Sequence, residues 1–162
     1  MSPGEPPVPL HPDAAALQFL LGTWSGEGKG YYSTISSFAY REEVRFWHVG
    51  KPFLAYSQRT WALDDGRPMH SEVGYWRPKP GGIVELVLAH PTGHVEVEEG
   101  TLVGTTLSLE SLLVGASSTA KDVTAIHRRL VVDGDVLTYT MSMEAVGEAF
   151  QEHLSAVLHR RQ

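Results

Sequence analysis

Apolar and polar residues alternate along most of this chain with a period of two, the pattern of strands buried on one face. Phe38, Tyr40, Val44, Phe46 and His48 share one parity, while Arg41, Glu43 and Arg45 take the other. Gly50-Lys51-Pro52 breaks the run, the pattern resumes over 53–63, and Asp64-Asp65-Gly66-Arg67-Pro68 turns the chain. Further strands are predicted over 69–76, 84–90, 94–99 and 102–110, separated by Pro78-Lys79-Pro80-Gly81-Gly82 and Pro91-Thr92-Gly93. Residues 115–122 read as the one long polar loop. Asp133-Gly134 joins strands over 123–132 and 136–145 as a tight hairpin, and a last strand covers 150–158. With the strand that begins at Trp24, the pattern gives about ten antiparallel strands and no helical crossover, an all-β up-and-down barrel or sandwich.

One segment departs from that period. Residues 11–20 predict a helix of two to three turns at most, with Pro12 in its first turn, Asp13 at its positive end and Gly22 as its stop. Leu17, Leu20 and Leu21 would cover one mouth of a barrel. In the stretch that follows, every second residue from Gly22 to Gly30 is glycine except Trp24. Gly22, Gly26 and Gly28 therefore leave one strand face almost bare, which suits a sharp bend or a close approach where a sheet closes. Trp24 is expected to plug one end of the interior.

Composition narrows the function. The 162 residues are most simply one domain, 11–162, behind a proline-rich lead, 1–10. A formal charge of −6 with no Lys/Arg cluster argues against a nucleic-acid partner. No signal-like segment or membrane-length apolar run is present, so a cytoplasmic protein without a membrane partner is expected. There is no cysteine, and eight histidines are left as the groups that titrate near neutrality. No nucleophile elbow, H-E-x-x-H pair, P-loop or dinucleotide fingerprint appears.

The last hairpin carries the candidate chemistry. Leu137, Tyr139, Met141 and Met143 alternate with polar residues and are expected to face inward. A three-residue loop at Gly147-Glu148-Ala149 would pair Val146 with Phe150 and set Met143 opposite His153, turning His153 inward. The same parity sends Leu154, Ala156 and Leu158 outward, so a bulge or a covered outer surface is required. An inward histidine is either a satisfied core residue or a ligand. Beside Met143 in a dry barrel, a neutral imidazole suits the axial position of a flat, apolar iron cofactor such as haem. Lys121 in the polar loop would then face the propionates, or is simply solvated. His70 sits at a strand start, either overlooking a ligand or exposed beside Glu72, and His90 faces inward by parity at a strand end. His48, His94 and His127 read as structural or exposed, His11 and His159 lie near the termini, and no short spacing gathers three histidines around zinc.

Gly22-x-Trp24-x-Gly26-x-Gly28 after a short helix, Met69-His70-Ser71-Glu72-x-Gly74-Tyr75-Trp76-Arg77, and Ala145-Val146-Gly147 followed by His153-Leu154 resemble the nitrobindin family of haem-binding β-barrels, particularly its actinobacterial members. The resemblance spans nearly the whole chain after the lead. It implies a ten-stranded antiparallel barrel, related in shape to fatty-acid-binding proteins, that holds one haem b. By the same resemblance His153 is the axial ligand, Met143 a pocket methionine, Met69 and His70 a distal pair, and Lys121 a basic residue near the haem. His90 stands where plant members carry glutamine, changing distal polarity or offering a second ligand. The implied activity is binding of nitric oxide and isomerisation of peroxynitrite to nitrate on ferric haem, in scavenging or in sensing, with a homodimer left open. In such a barrel the first strand lies beside the last, so the bare glycine face would leave room for a flat cofactor near that seam. The alternative is a lipocalin-like or fatty-acid-binding-like carrier of a small apolar molecule, without catalysis.

Overall fold

A computed structural model describes residues 6–32, 35–145 and 151–162. Ten strands form one closed antiparallel barrel: β1 (Gly22–Tyr32), β2 (Ile35–Trp47), β3 (Leu54–Ala62), β4 (Pro68–Lys79), β5 (Ile83–Ala89), β6 (His94–Val103), β7 (Thr106–Ala116), β8 (Val123–Asp133), β9 (Val136–Ala145) and β10 (Gln151–Arg160). Each strand pairs with its sequence neighbours, and β1 closes the ring on β10. The largest boundary differences from expectation fall on β6 and β7. The β6–β7 turn falls at Gly104, which takes a φ of +60°, so β6 runs on through Gly100 to Val103. A Cβ at Gly100 would lie 1.8 Å from the Ser108 carbonyl oxygen, so that glycine serves close strand packing rather than a break. The polar loop is shorter than predicted, because β7 continues to Ala116.

The helix expected over 11–20 is a 3₁₀ helix, Pro12–Leu20, capped by His11, whose Nδ1 accepts from the Asp13 backbone N–H at 3.1 Å. Three residues per turn place Ala14, Leu17 and Leu20 along one edge, and all three are fully buried over the barrel mouth. Leu21, also expected there, falls off that edge and is only partly buried. Of the proline-rich lead, Leu10 packs against the core, and residues 1–5 lie outside the described residues.

Trp24 closes this end as expected. It is fully buried, its indole N–H donates to the Leu20 carbonyl at 2.8 Å, and the Arg160 guanidinium stacks 4.1 Å from its ring. The glycine face corrects a different expectation. A Cβ at Gly28 would meet the Tyr40 ring at 2.5 Å, and one at Gly30 the Phe38 ring at 2.0 Å. The space on that face is taken by aromatic side chains of β2, leaving none there for a cofactor.

The interior is layered along the barrel axis. Trp24, Leu86 and Leu107 are packed at the closed end, with Phe46, Trp76 and Leu158 beside them and bordering the cavity. Phe46 packs its ring 5.1 Å from Tyr56 and 6.0 Å from Trp76. Farther along the same inward parities come Glu42, Gln58, Glu72, Glu96, Glu98 and Arg128, and beyond them the barrel opens.

Candidate functional site

The open half holds a cavity of about 830 Å³, within the usual range for small-molecule sites. Its floor is a polar layer built around Arg128. Arg128 reaches in from β8 on the parity of Ile126, Leu130 and Val132. Its Nε donates to Glu98 at 2.7 Å and one terminal nitrogen to Glu96 at 2.9 Å, while Glu72 lies 3.6 Å away. Burial alone would raise the Glu96 carboxyl, but Arg128 and His90 outweigh it and hold it at about 2. For Glu98 burial wins, and its carboxyl sits at about 7. Burial also works against the Arg128 charge, yet the carboxylates around it keep the guanidinium firmly protonated.

A second chain of bonds crosses the floor. Gln58 donates to Glu42 Oε2 at 2.5 Å, Tyr139 donates to the same oxygen at 2.9 Å, and the Tyr40 and Tyr139 hydroxyls meet at 2.8 Å. Because the Tyr139 proton is directed at Glu42, Tyr40 is the donor between the two phenols. Burial raises Glu42 to about 7 despite the bonds from Gln58 and Tyr139. Tyr56 donates to Glu72 Oε1 at 2.8 Å, which leaves Oε2 facing the histidines.

His70 and His90 stand above this floor. His70 Nε2 and His90 Nδ1 are hydrogen-bonded at 3.1 Å, and His90 Nε2 points at Glu96 Oε1, 3.4 Å away. Burial lowers the His70 pKa, with Glu72 opposing. Burial works to lower His90 as well, but Glu96 and Glu72 prevail and raise it.

His153 lies on the wall opposite these strands in the barrel order, on β10. The β9–β10 register slips between Glu152 and Leu154, so His153 occupies a bulge. That slip meets the parity requirement: His153 is buried and lines the cavity, while Ala156 and Leu158 are buried as well. It also changes one expected contact, because Met143 pairs with Gln151 and not with His153. The loop invoked for that register, with Val146 and Phe150, lies outside the described residues. His153 Nδ1 is 3.1 Å from the Tyr31 carbonyl, which can only accept, so Nδ1 carries the proton and the lone pair is on Nε2. Burial lowers the His153 pKa, the Tyr31 carbonyl opposes it, and His70 adds to the lowering.

Met69, Met143 and Lys121 also line the cavity, with Lys121 exposed at the rim. His94, read as structural or exposed, joins them for a reason the sequence hides. Its Nε2 donates to the Lys121 carbonyl at 2.5 Å and its Nδ1 meets the Thr92 hydroxyl at 2.8 Å, tying the β7–β8 loop to β6. His127 is on the outside, 3.3 Å from Glu110. Gly22, Gly26 and Gly28 do not line the cavity.

Fold and site together define a class: a closed ten-stranded antiparallel barrel with one plugged end, a charged floor and a ligand-sized cavity at the other end. Residues 13–160 match the THAP4-like, heme-binding beta-barrel domain family, and the chain belongs to it. It is 52% identical over 159 residues to peroxynitrite isomerase 2 of Mycobacterium avium, covering 96% of this chain and 99% of that protein. It is 53% identical over 161 residues to the peroxynitrite isomerase of Nocardia farcinica, covering 96% and 95%. The crystal structure of Rv2717c from M. tuberculosis superposes with a TM-score of 0.89 at 51% identity, covering 95% of this chain and all of that one.

Proposed function

We propose that this protein holds one haem b in the barrel cavity through His153 Nε2 and isomerises peroxynitrite to nitrate, with nitric oxide as a second ligand of the same iron. The observation that carries the reading is His153 itself, a buried imidazole turned into the cavity by a bulge, with its lone pair fixed on Nε2 by the Tyr31 carbonyl. Metal-bound histidines characteristically donate their other ring nitrogen in this way, which fixes the ring and makes it a better ligand. The lowered pKa of His153 keeps it neutral at pH 7, the form that binds iron. The names of the mycobacterial and nocardial relatives support the activity.

The rest of the cavity fits the same group. Phe38, Met141, Met143 and Leu154 supply apolar walls for a macrocycle, and Lys121 at the rim supplies a cation for a propionate. Met69, His70 and His90 line the cavity across the barrel from β10, where they would border a small ligand on the iron. Bound ferric haem supplies a Lewis-acidic iron for the rearrangement of peroxynitrite. The chain's own part is to hold that iron, orient the ligand and exclude bulk water from it. The carrier reading loses its natural anchor, because the buried cation that would receive a fatty-acid carboxylate, Arg128, already faces three glutamates.

Haemin titration should give a Soret band saturating at one equivalent, and the loaded protein should speed peroxynitrite decay towards nitrate. His153→Ala should lose haem retention, whereas the external His127→Ala should retain it. A normal Soret band in a folded His153→Ala protein would move the ligand elsewhere.

A further inference from the structure

We propose that His70, Glu72 and His90 form a second metal site, for a divalent transition cation such as Zn²⁺ or Fe²⁺, in the cavity wall and distinct from His153. His70 and Glu72 are two residues apart on β4, so both side chains leave the same face of the strand. The β4–β5 register, with Val73 opposite Ala89, brings His90 beside them. The three donor atoms are His70 Nε2, His90 Nδ1 and Glu72 Oε2. Their separations are 3.1 Å, 3.4 Å and 3.9 Å. Nitrogen and oxygen ligands about 2.0–2.1 Å from zinc in a tetrahedron lie about 3.3 Å from one another, so a cation fits among these atoms after shifts of a few tenths of an ångström.

The surroundings also brace the site. Glu72 Oε1 is fixed by the Tyr56 hydroxyl at 2.8 Å, which aims Oε2 at both imidazoles. The His70 backbone N–H donates to Thr60 Oγ1 at 3.0 Å. His90 Nε2 makes no hydrogen bond but lies 3.4 Å from Glu96 Oε1, so a small approach gives the carboxylate–histidine arrangement that sets the tautomer of metal-bound histidine. With the His90 proton on Nε2, the bond between the rings is donated by His70 Nε2. Moving that one proton to His70 Nδ1 exposes lone pairs on both inward nitrogens. Two imidazoles and one carboxylate leave a further coordination position open to the cavity, as in catalytic rather than structural sites.

The test is a Zn²⁺ titration by calorimetry and a Co²⁺ titration by visible absorption, on the full chain both before and after haemin loading. One equivalent of Co²⁺ should produce d–d absorption that Zn²⁺ abolishes, and crystals soaked in Zn²⁺ should show anomalous density between the three side chains. His70→Ala and His90→Ala should each weaken Zn²⁺ binding by about 100-fold, and Glu96→Gln by about 10-fold. His90→Gln, closer in volume, serves if the alanine variant does not fold. His127→Ala should bind as the parent does. His153→Ala should bind Zn²⁺ normally even where it retains no haem, so a failed haem assignment leaves this result standing. Absence of stoichiometric binding in the folded parent overturns the proposal, as does binding that survives loss of His70 and His90 or disappears with His153.

Discussion

Arg128 has only a tenth of its side chain exposed, and its charge is balanced by side chains rather than by water. Glu98 and Glu96 take two of its nitrogens directly, and Glu72 stands just outside bonding distance. Removing the cation would leave buried carboxylates facing one another, a change that typically costs about 3–5 kcal/mol. Arg128→Met is therefore expected to lower stability by about that much in urea unfolding near pH 7.5. The loss should be smaller near pH 5, where the carboxylates can take up protons. Arg128→Lys should recover only part of it, because one ammonium cannot reproduce two donors in a fixed fork. An Arg128→Met protein as stable as the parent at both pH values would show that the carboxylates were never held charged by the guanidinium.

At the scale of elements, the barrel depends on how closely β1 lies against β10. A Cβ at Gly26 would sit 2.1 Å from the Val157 carbonyl oxygen, a backbone atom that no rotamer change can move. Gly26→Val is thus expected to part the seam, lowering stability by about 2 kcal/mol or more and weakening haemin binding, because Tyr31 and His153 are bonded across the same pair of strands. A variant melting at the parent temperature with an unchanged haemin titration would sink this account. Much of the element pattern was legible locally, since period two marks strands and Trp24, alone among glycines, had one reasonable place to go. Arg128 carried a signal too, standing on the parity of Ile126, Leu130 and Val132. Its partners gave the opposite one. In β6 Glu96 and Glu98 are buried while Val95 is 48% exposed, so hydrophobicity alone picks the wrong face. What reverses the strand is an arginine some 30 residues away, two strands around the barrel, and no local window contains both. His70 and His90 were each visible, but their meeting depends on the β4–β5 register. His153 needed a bulge that parity could require without placing.

Across the whole molecule, a layer of buried charge crosses the barrel between its plugged end and its open one, and that layer sets how stability responds to pH. Glu42 sits at about 7 in the folded barrel, against an ordinary value of 4.5. The folded state therefore holds this proton more tightly than the unfolded chain does. Its contribution is complete below pH 4.5, falls away as pH rises through 7 and is constant above that. A shift of this size corresponds to roughly 3 kcal/mol across the window. Glu96 acts in the opposite sense: held at about 2, it stabilises the fold above pH 4.5 and loses that contribution as pH falls towards 2. Histidines titrate in the same range, so the informative quantity is a difference between two proteins. Glu42→Gln keeps an oxygen for Tyr139 and Gln58 but has no carboxyl to ionise. Relative to this variant, the parent should lose up to roughly 3 kcal/mol in urea unfolding between pH 4.5 and 7, with no further change to pH 8. A gap that stays flat from pH 4.5 to 7 would mean that Glu42 ionises in the folded barrel as readily as in water. The floor would then be wet, which a buried oxygen held by Gln58 and Tyr139 gives no reason to expect.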